Sequence, residues 1–86
     1  MTPRTPGSIL VIDDEPRLVH ALAILLRRDG YHVETASNGR HALAQLQVQR
    51  YDVIVSDLSM PEMDGRTFYT HLRQQAPGLA RRVIFF

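Results

Sequence analysis

The feature that most constrains this chain is a short apolar run that ends in an acidic residue. Val-Ile-Val at 53–55 is typical of a strand buried on both faces of a parallel sheet, and Asp57 follows where such a strand leaves the core. Pro61 and the Asp-Gly pair at 64–65 favour a loop after it. Asp57 is therefore predicted at the carboxyl end of a strand, where open α/β sheets bind ligands. The alternative is that Asp57 merely begins a loop.

A second apolar run, at 9–12, ends directly in Asp13, Asp14 and Glu15. If the two strands are neighbours, their acidic residues meet at one edge of the sheet. Carboxylates that close repel one another unless a cation lies among them, and oxygen ligands of this kind suit Mg²⁺. The alternative is that these three acidic residues only begin a helix, where the helix dipole stabilises their negative charge. It accounts for Asp13 to Glu15 but not for Asp57.

The motifs ILVIDDEP and VIVSDLSMPEMDG occur in this order, separated by a helix–strand–helix pattern, and resemble the receiver domain of bacterial two-component response regulators. The resemblance implies that Asp57 accepts a phosphoryl group from a phosphohistidine on a sensor histidine kinase or a histidine phosphotransfer domain. It also implies that Mg²⁺ or Mn²⁺ is held by Asp13, Asp14, Asp57 and the backbone carbonyl of Ser59. Such a module promotes only its own phosphorylation and dephosphorylation, and it is not an enzyme with a separate substrate.

Composition agrees with a small cytoplasmic signalling module. The 86 residues make one domain at most, and the absence of cysteine excludes a disulfide framework, a zinc ribbon or thiol catalysis. A formal net charge of +1 gives no electrostatic footprint for nucleic acid. No apolar run approaches the length of a membrane span, and no signal-peptide segment is present. We therefore expect no nucleic-acid or membrane contact from this part of the protein.

The alternation of predicted strands and helices, joined by short connections, predicts an α/β fold with a parallel sheet and helices on both faces. Residues 1–7 are expected to form a disordered leader, and residues 8–86 the receiver domain. The predicted strands and helices are 8–13, 16–29, 32–36, 40–49, 52–57, 66–75 and 82–86, with Gly30 as a left-handed helix stop and Pro77-Gly78 as the end of the third helix. The resemblance implies a flavodoxin-like three-layer αβα arrangement with strand order 2-1-3-4.

The first helix is predicted to have a wide apolar side and a basic side. The apolar side that should face the core consists of Leu18, Val19, Ala21, Leu22, Ala23, Leu25 and Leu26. Ile24 is expected to be exposed on the other side, among Arg17, His20, Arg27 and Arg28. An apolar centre with a charged rim is typical of protein interfaces. Docking of the partner is therefore predicted at Arg17, His20, Ile24 and Arg28.

The chain ends sooner than the family does. A complete receiver continues with a hydroxyl residue, a further helix, a fifth strand ending in Lys and a final helix, and none of these is present in the sequence. We therefore expect a receiver truncated after its fourth strand, with impaired phosphorylation. An unpaired strand edge is a template for association with another chain. The exposed fourth strand is thus predicted to cause self-association.

Three other classes of protein can be compared with this sequence. A haloacid-dehalogenase-type enzyme needs a second acid two residues after its nucleophile, where this chain has Ser59 after Asp57. A dinucleotide-binding Rossmann domain is excluded because no G-x-G-x-x-G follows the first strand. A receiver-like interaction or oligomerisation module that takes no phosphoryl group remains the alternative. The intact acids favour the working switch.

Overall fold

The structure is a computed structural model, and it describes residues 7–57 and 65–86. Strands and helices alternate along the chain, as predicted. Their order is β1 (Ser8–Ile12), α1 (Pro16–Arg28), β2 (His32–Ala36), α2 (Gly39–Leu46), β3 (Val53–Ser56), α3 (Gly65–Gln75), α4 (Pro77–Ala80) and β4 (Val83–Phe85). All seven predicted elements are present, and six of them have bounds within one residue of those expected.

The four strands form one parallel sheet in the order β2-β1-β3-β4, which confirms the predicted topology. β1 pairs with β2 from Ser8 opposite His32, and with β3 from Ile9 opposite Val53. Because both β1 and β3 are central, their residues alternate between two covered faces. The carbonyl of Gly7, the last residue of the predicted leader, accepts a hydrogen bond from the His32 N–H at 3.2 Å, and the rest of that leader lies outside the described residues.

Each face of the sheet has its own apolar core. On one face, Leu10, Ile12 and Ile54 are buried together with Phe68 and Leu72 of α3, and Ala42 of α2 packs there too. On the other face, α1 covers a smaller cluster that consists of Ile9, Val11, Val19, Ala23 and Val33. The helices therefore lie in layers on both sides of the sheet. This is the three-layer arrangement that was predicted, for the elements that the structure describes.

Helix α1 begins and ends where its sequence favours it. Pro16 occupies the first turn, where its missing N–H costs nothing. Gly30 adopts a φ of 94°, and its N–H donates to the Arg27 carbonyl at 3.0 Å. The Tyr31 N–H donates to the Leu26 carbonyl at 3.2 Å, which completes a Schellman motif. The predicted left-handed stop is confirmed.

The predicted apolar side of α1 is too wide. Val19 and Ala23 are buried, and Leu22 and Leu26 are partly buried, but Leu18, Ala21 and Leu25 are exposed. The reason is that α1 packs mainly against β1 and β2, and these contacts are made by the side of the helix that carries Val19 and Ala23. Ile24 is 43% exposed, as expected.

One further prediction, the end of α2, is wrong in detail. α2 ends at Leu46 rather than Gln49, because the N–H groups of Gln47 and Val48 turn to carbonyls three residues back, and the 80% exposed Val48 gains nothing from a further helical turn. The predicted end of the third helix at Pro77-Gly78 is confirmed, because α3 ends at Gln75. An element that was not predicted follows it, since Pro77 starts the one-turn helix α4, whose Ala80 is buried against the larger core.

No helix among the residues described is both long and apolar enough to cross a membrane.

Candidate functional site

Three carboxylates meet at the carboxyl edge of the sheet, as predicted. Asp13 and Asp14 follow β1, and Asp57 follows β3, which is the neighbour of β1. One oxygen from each of the three side chains lies within 4.8 Å of the others. Asp13 is buried, Asp57 is half-buried and Asp14 is exposed, so the group is open to solvent on one side.

The position of Asp57 is fixed by the sheet. Its N–H donates to the Ile12 carbonyl at 2.9 Å, which continues the pairing of β3 with β1 beyond the last paired residues. The buried Ser56 hydroxyl donates to the Asp57 carbonyl at 3.0 Å. The backbone of Asp57 is therefore fixed by two hydrogen bonds, one from its N–H and one to its carbonyl.

The position of Asp13 is also fixed by hydrogen bonds. Its N–H donates to the Ala36 carbonyl of β2 at 3.2 Å, and its carboxylate accepts the Glu15 N–H at 3.1 Å. Only 4% of the residue is exposed, and this burial raises the pKa of Asp13 above its usual value. The Asp14 and Asp57 carboxylates raise it further, while the Glu15 N–H opposes the shift.

The three acids fit a hard divalent cation. They offer only oxygen ligands, they lie close enough to share one ion, and the exposed Asp14 side leaves room for the waters that Mg²⁺ retains. A positive ion would also relieve the repulsion that raises the pKa of Asp13. Glu15 lies outside this group, because its carboxylate accepts the Arg17 N–H at 3.2 Å and caps the start of α1.

Ser59, whose backbone carbonyl is the remaining predicted ligand, lies outside the described residues. The predicted docking residues Arg17, His20, Ile24 and Arg28 are all exposed on α1. His20 lines a cavity of about 330 Å³ between α1 and β2 that opens beside Asp13 and Asp14. The structure thus brings one docking residue to the acidic edge.

Sequence reasoning missed the β2 side of this cavity. Thr35 and Ser37 line it, and so does Arg27, which was predicted only as part of the basic outer side of α1. The Arg27 guanidinium donates to the Val33 carbonyl at 2.8 Å and bridges α1 to β2. The helical wheel could have indicated that Arg27 lies near β2, because Arg27 is one turn beyond the buried Ala23.

Comparison with known proteins identifies the class to which this fold and site belong. The family model of the response regulator receiver domain matches residues 9–86. The alkaline phosphatase synthesis transcriptional regulatory protein PhoP of Bacillus subtilis is 45% identical over 67 residues, which are 78% of this chain and 28% of that protein. The chain spans less than a third of the length of the curated relatives considered.

Solved structures agree with this assignment. The chemotaxis response regulator CheY4 of Vibrio cholerae superimposes with a TM-score of 0.81 at 42% identity, covering 84% of this chain and 60% of that one. The response regulator TrrA of Thermotoga maritima, solved in complex with Mg²⁺-BeF, gives a TM-score of 0.78 at 34% identity, covering 83% and 62%. The chain belongs to the response regulator receiver domain family. Receiver domains are signalling modules that bind Mg²⁺ at an acidic pocket and interact with sensor histidine kinases or phosphotransfer partners.

Proposed function

We propose that this chain is the phosphoacceptor module of a two-component system and that Asp57 is the residue phosphorylated. The observation that carries the proposal is the convergence of Asp13, Asp14 and Asp57 within 4.8 Å at the carboxyl edge of a parallel sheet. The donor is a phosphohistidine on a sensor histidine kinase or a histidine phosphotransfer domain. The module works in the cytoplasm and contacts neither nucleic acid nor membrane itself.

Asp13, Asp14 and Asp57 would hold Mg²⁺ or Mn²⁺, together with the backbone carbonyl of Ser59. When bound, the ion would cancel charge on the phosphoryl oxygens and would allow an anionic carboxylate to approach an anionic donor. A buried Asp13 carboxylate beside two others supports this assignment, because such a group is otherwise costly when ionised.

The reaction assigned to the chain's own residues is a single phosphoryl transfer. A carboxylate oxygen of Asp57 attacks phosphorus, the P–N bond to the partner's histidine breaks, and an acyl phosphate forms. The imidazole leaves with the electron pair and takes a proton. Positioning supplies most of what such a transfer requires. The backbone hydrogen bond from Asp57 to Ile12 supports a fixed nucleophile. The chain promotes its own phosphorylation and dephosphorylation, and we assign it no other reaction.

Docking of the partner takes place on the exposed side of α1, at Arg17, His20, Ile24 and Arg28. The support is that all four are exposed and that His20 lines the cavity beside Asp13 and Asp14. An apolar Ile24 inside a basic rim matches the composition of interfaces with a dry centre and a polar edge.

Self-association occurs at the β4 edge. Strand β4 pairs only with β3 among the described elements, so its outer backbone groups are open to another strand. The alternative function is a receiver-like interaction module that takes no phosphoryl group. The exposed Ile84 and Phe86 on and beside β4 are the observation that favours it.

Uptake of a phosphoryl group from acetyl phosphate separates these functions. We expect intact-mass spectrometry to show one added phosphoryl group in the presence of Mg²⁺, and none after chelation or in Asp57→Asn. Asp52→Asn is the matched control, because Asp52 lies at the opposite end of β3. A chain that folds but gains no phosphoryl group in Mg²⁺ would favour the interaction module.

A further inference from the structure

The outer edge of β2 presents backbone groups that no other strand uses. Among the described strands, β2 pairs with β1 alone. The His32 N–H and the Ala36 carbonyl make hydrogen bonds on the β1 side of the strand. Because backbone groups alternate in direction along a strand, the N–H and carbonyl groups of Val33 and Thr35 point outward. Such a row of groups is a template for pairing with another chain.

One of the outward carbonyls has a partner from the first helix. The Arg27 guanidinium, in the last turn of α1, donates to the Val33 carbonyl at 2.8 Å. Arg27 also lines the cavity between α1 and β2 together with Thr35 and Ser37, so its side chain lies along the outer part of β2. The guanidinium therefore occupies an acceptor that an incoming strand would use.

The centre of β2 carries a second obstacle to strand pairing. Glu34 is the middle residue of β2 and is half-buried. Its carboxylate accepts a hydrogen bond from the hydroxyl of the buried Tyr51, which holds it on the face of the sheet that α2 covers. A charged side chain in the middle of an edge strand disfavours pairing with a second copy.

The possible registers show what each obstacle does. Two copies related by a twofold axis would pair β2 antiparallel with itself. The longest register places Val33 opposite Thr35 and Glu34 opposite Glu34, so it needs the Val33 carbonyls of both copies and brings like charges together. A register with Val33 opposite Val33 needs the same carbonyls. A shorter register, with Thr35 opposite Thr35, avoids them but pairs fewer residues.

We infer that Arg27 guards the β2 edge, and that its guanidinium prevents a second copy of this chain from pairing β2 with β2. It does so by occupying the Val33 carbonyl, and Glu34 adds repulsion in the register that pairs the most residues. The guard leaves β4 as the edge for the self-association proposed above. That consequence rests on the proposed function, whereas the guard rests on the contacts of β2 alone.

Sedimentation equilibrium of the whole 86-residue chain tests the guard. Arg27→Met frees the Val33 carbonyl and should raise the association constant about tenfold or more above that of the wild type. Arg28→Met is the matched control, because it removes the same charge from the neighbouring exposed position and should leave the association constant unchanged. Arg27→Gln is too short to replace the guanidinium and adds no apolar surface, so it should act like Arg27→Met.

Two results of this comparison would overturn the inference. The first is that the Arg27 variants associate no more tightly than Arg28→Met. The second is that the increase is confined to Arg27→Met, which would attribute it to the added apolar side chain. Circular dichroism melts identify the variants that are folded, and Arg27→Gln carries the test if Arg27→Met is not.

A proline at position 35 locates the new contact. Thr35→Pro removes an outward N–H that makes no bond to β1, and edge strands tolerate proline at such positions. In the double variant Arg27→Met/Thr35→Pro, the association constant should return to the wild-type value, because a proline on the outer side interrupts strand pairing. An increase that survives Thr35→Pro in the folded double variant would place the contact elsewhere and contradict a guard at β2.

Discussion

The N–H of Asp57 donates a hydrogen bond to the carbonyl of Ile12 at 2.9 Å. Ile12 directly precedes Asp13, so one backbone bond fixes the distance between the acid that follows β3 and those that follow β1. The carboxylate cluster is therefore a consequence of strand pairing and not of a flexible loop. Its electrostatic cost and its proposed chemistry both follow from this placement.

The first prediction concerns Asp13 and pH. Burial and the neighbouring carboxylates raise the pKa of Asp13 above its ordinary value of 3.8. The folded chain then holds this proton more tightly than the unfolded chain, so ionisation of Asp13 opposes folding. The penalty is absent below the ordinary pKa and complete above the raised one. Without divalent ions, we expect Asp13→Asn to raise Tm at neutral pH.

Thermal melts from pH 3 to neutral pH, with and without Mg²⁺, check this expectation. The stabilisation by Asp13→Asn should vanish at the acidic end, where the wild-type carboxyl is protonated. Mg²⁺ should raise the Tm of the wild type but not that of the variant. A variant that melts below the wild type at neutral pH without metal would show that Asp13 is not penalised.

A second prediction compares the same substitution at two exposures. Ile54 is fully buried at the centre of the sheet, whereas Ile84 is 58% exposed on β4. Ile54→Val should reduce the free energy of unfolding by about 0.5–1.5 kcal/mol through the cavity it leaves. Ile84→Val should change it by less than about 0.5 kcal/mol. Urea denaturation at a concentration where both variants have the same oligomeric state measures the difference, and equal effects would contradict the core described.

Much of the fold and of the acidic edge could be predicted from the sequence. The apolar runs at 9–12 and 53–55 are strand-like on their own, and the resemblance supplied their adjacency. The exposure of Leu18 and Leu25 to solvent could not be predicted, because helical periodicity identifies an apolar side of a helix but not which strands lie beneath it. The early end of α2 was missed for a related reason, since Val48 is apolar yet exposed.

The third prediction concerns the start of α2. The Asn38 side chain accepts the His41 N–H at 2.8 Å and caps the helix. Asn38→Ala should cost about 0.5–2 kcal/mol of stability, because it leaves that donor without its cap. Arg40→Ala, at an exposed position in the first turn, is the control and should be nearly neutral. Chemical denaturation of both variants measures the change in the free energy of unfolding. If Asn38→Ala leaves that free energy unchanged, the cap contributes nothing to stability.

The fourth prediction separates docking from chemistry. Ile24→Glu places a charge at the centre of the proposed docking face and should slow phosphoryl transfer from a cognate histidine kinase about tenfold or more. Uptake from acetyl phosphate should be unchanged, because the acids lie elsewhere. Val48→Glu, an exposed apolar position away from α1, should slow neither reaction. Both reactions are followed by the rate of phosphoprotein formation, and equal slowing by Ile24→Glu with both donors would point to a fold defect instead.

The most direct measurement of the central claim locates the phosphoryl group itself. After incubation with acetyl phosphate and Mg²⁺, borohydride reduction converts an aspartyl phosphate into homoserine, which peptide mass spectrometry can place in the sequence. We predict homoserine at position 57 in the wild type, with Asp13 and Asp14 recovered unchanged, and none anywhere in Asp57→Asn. Homoserine at position 13 or 14, or its absence from a folded, Mg²⁺-treated chain, would contradict the assignment of Asp57 as the phosphoacceptor.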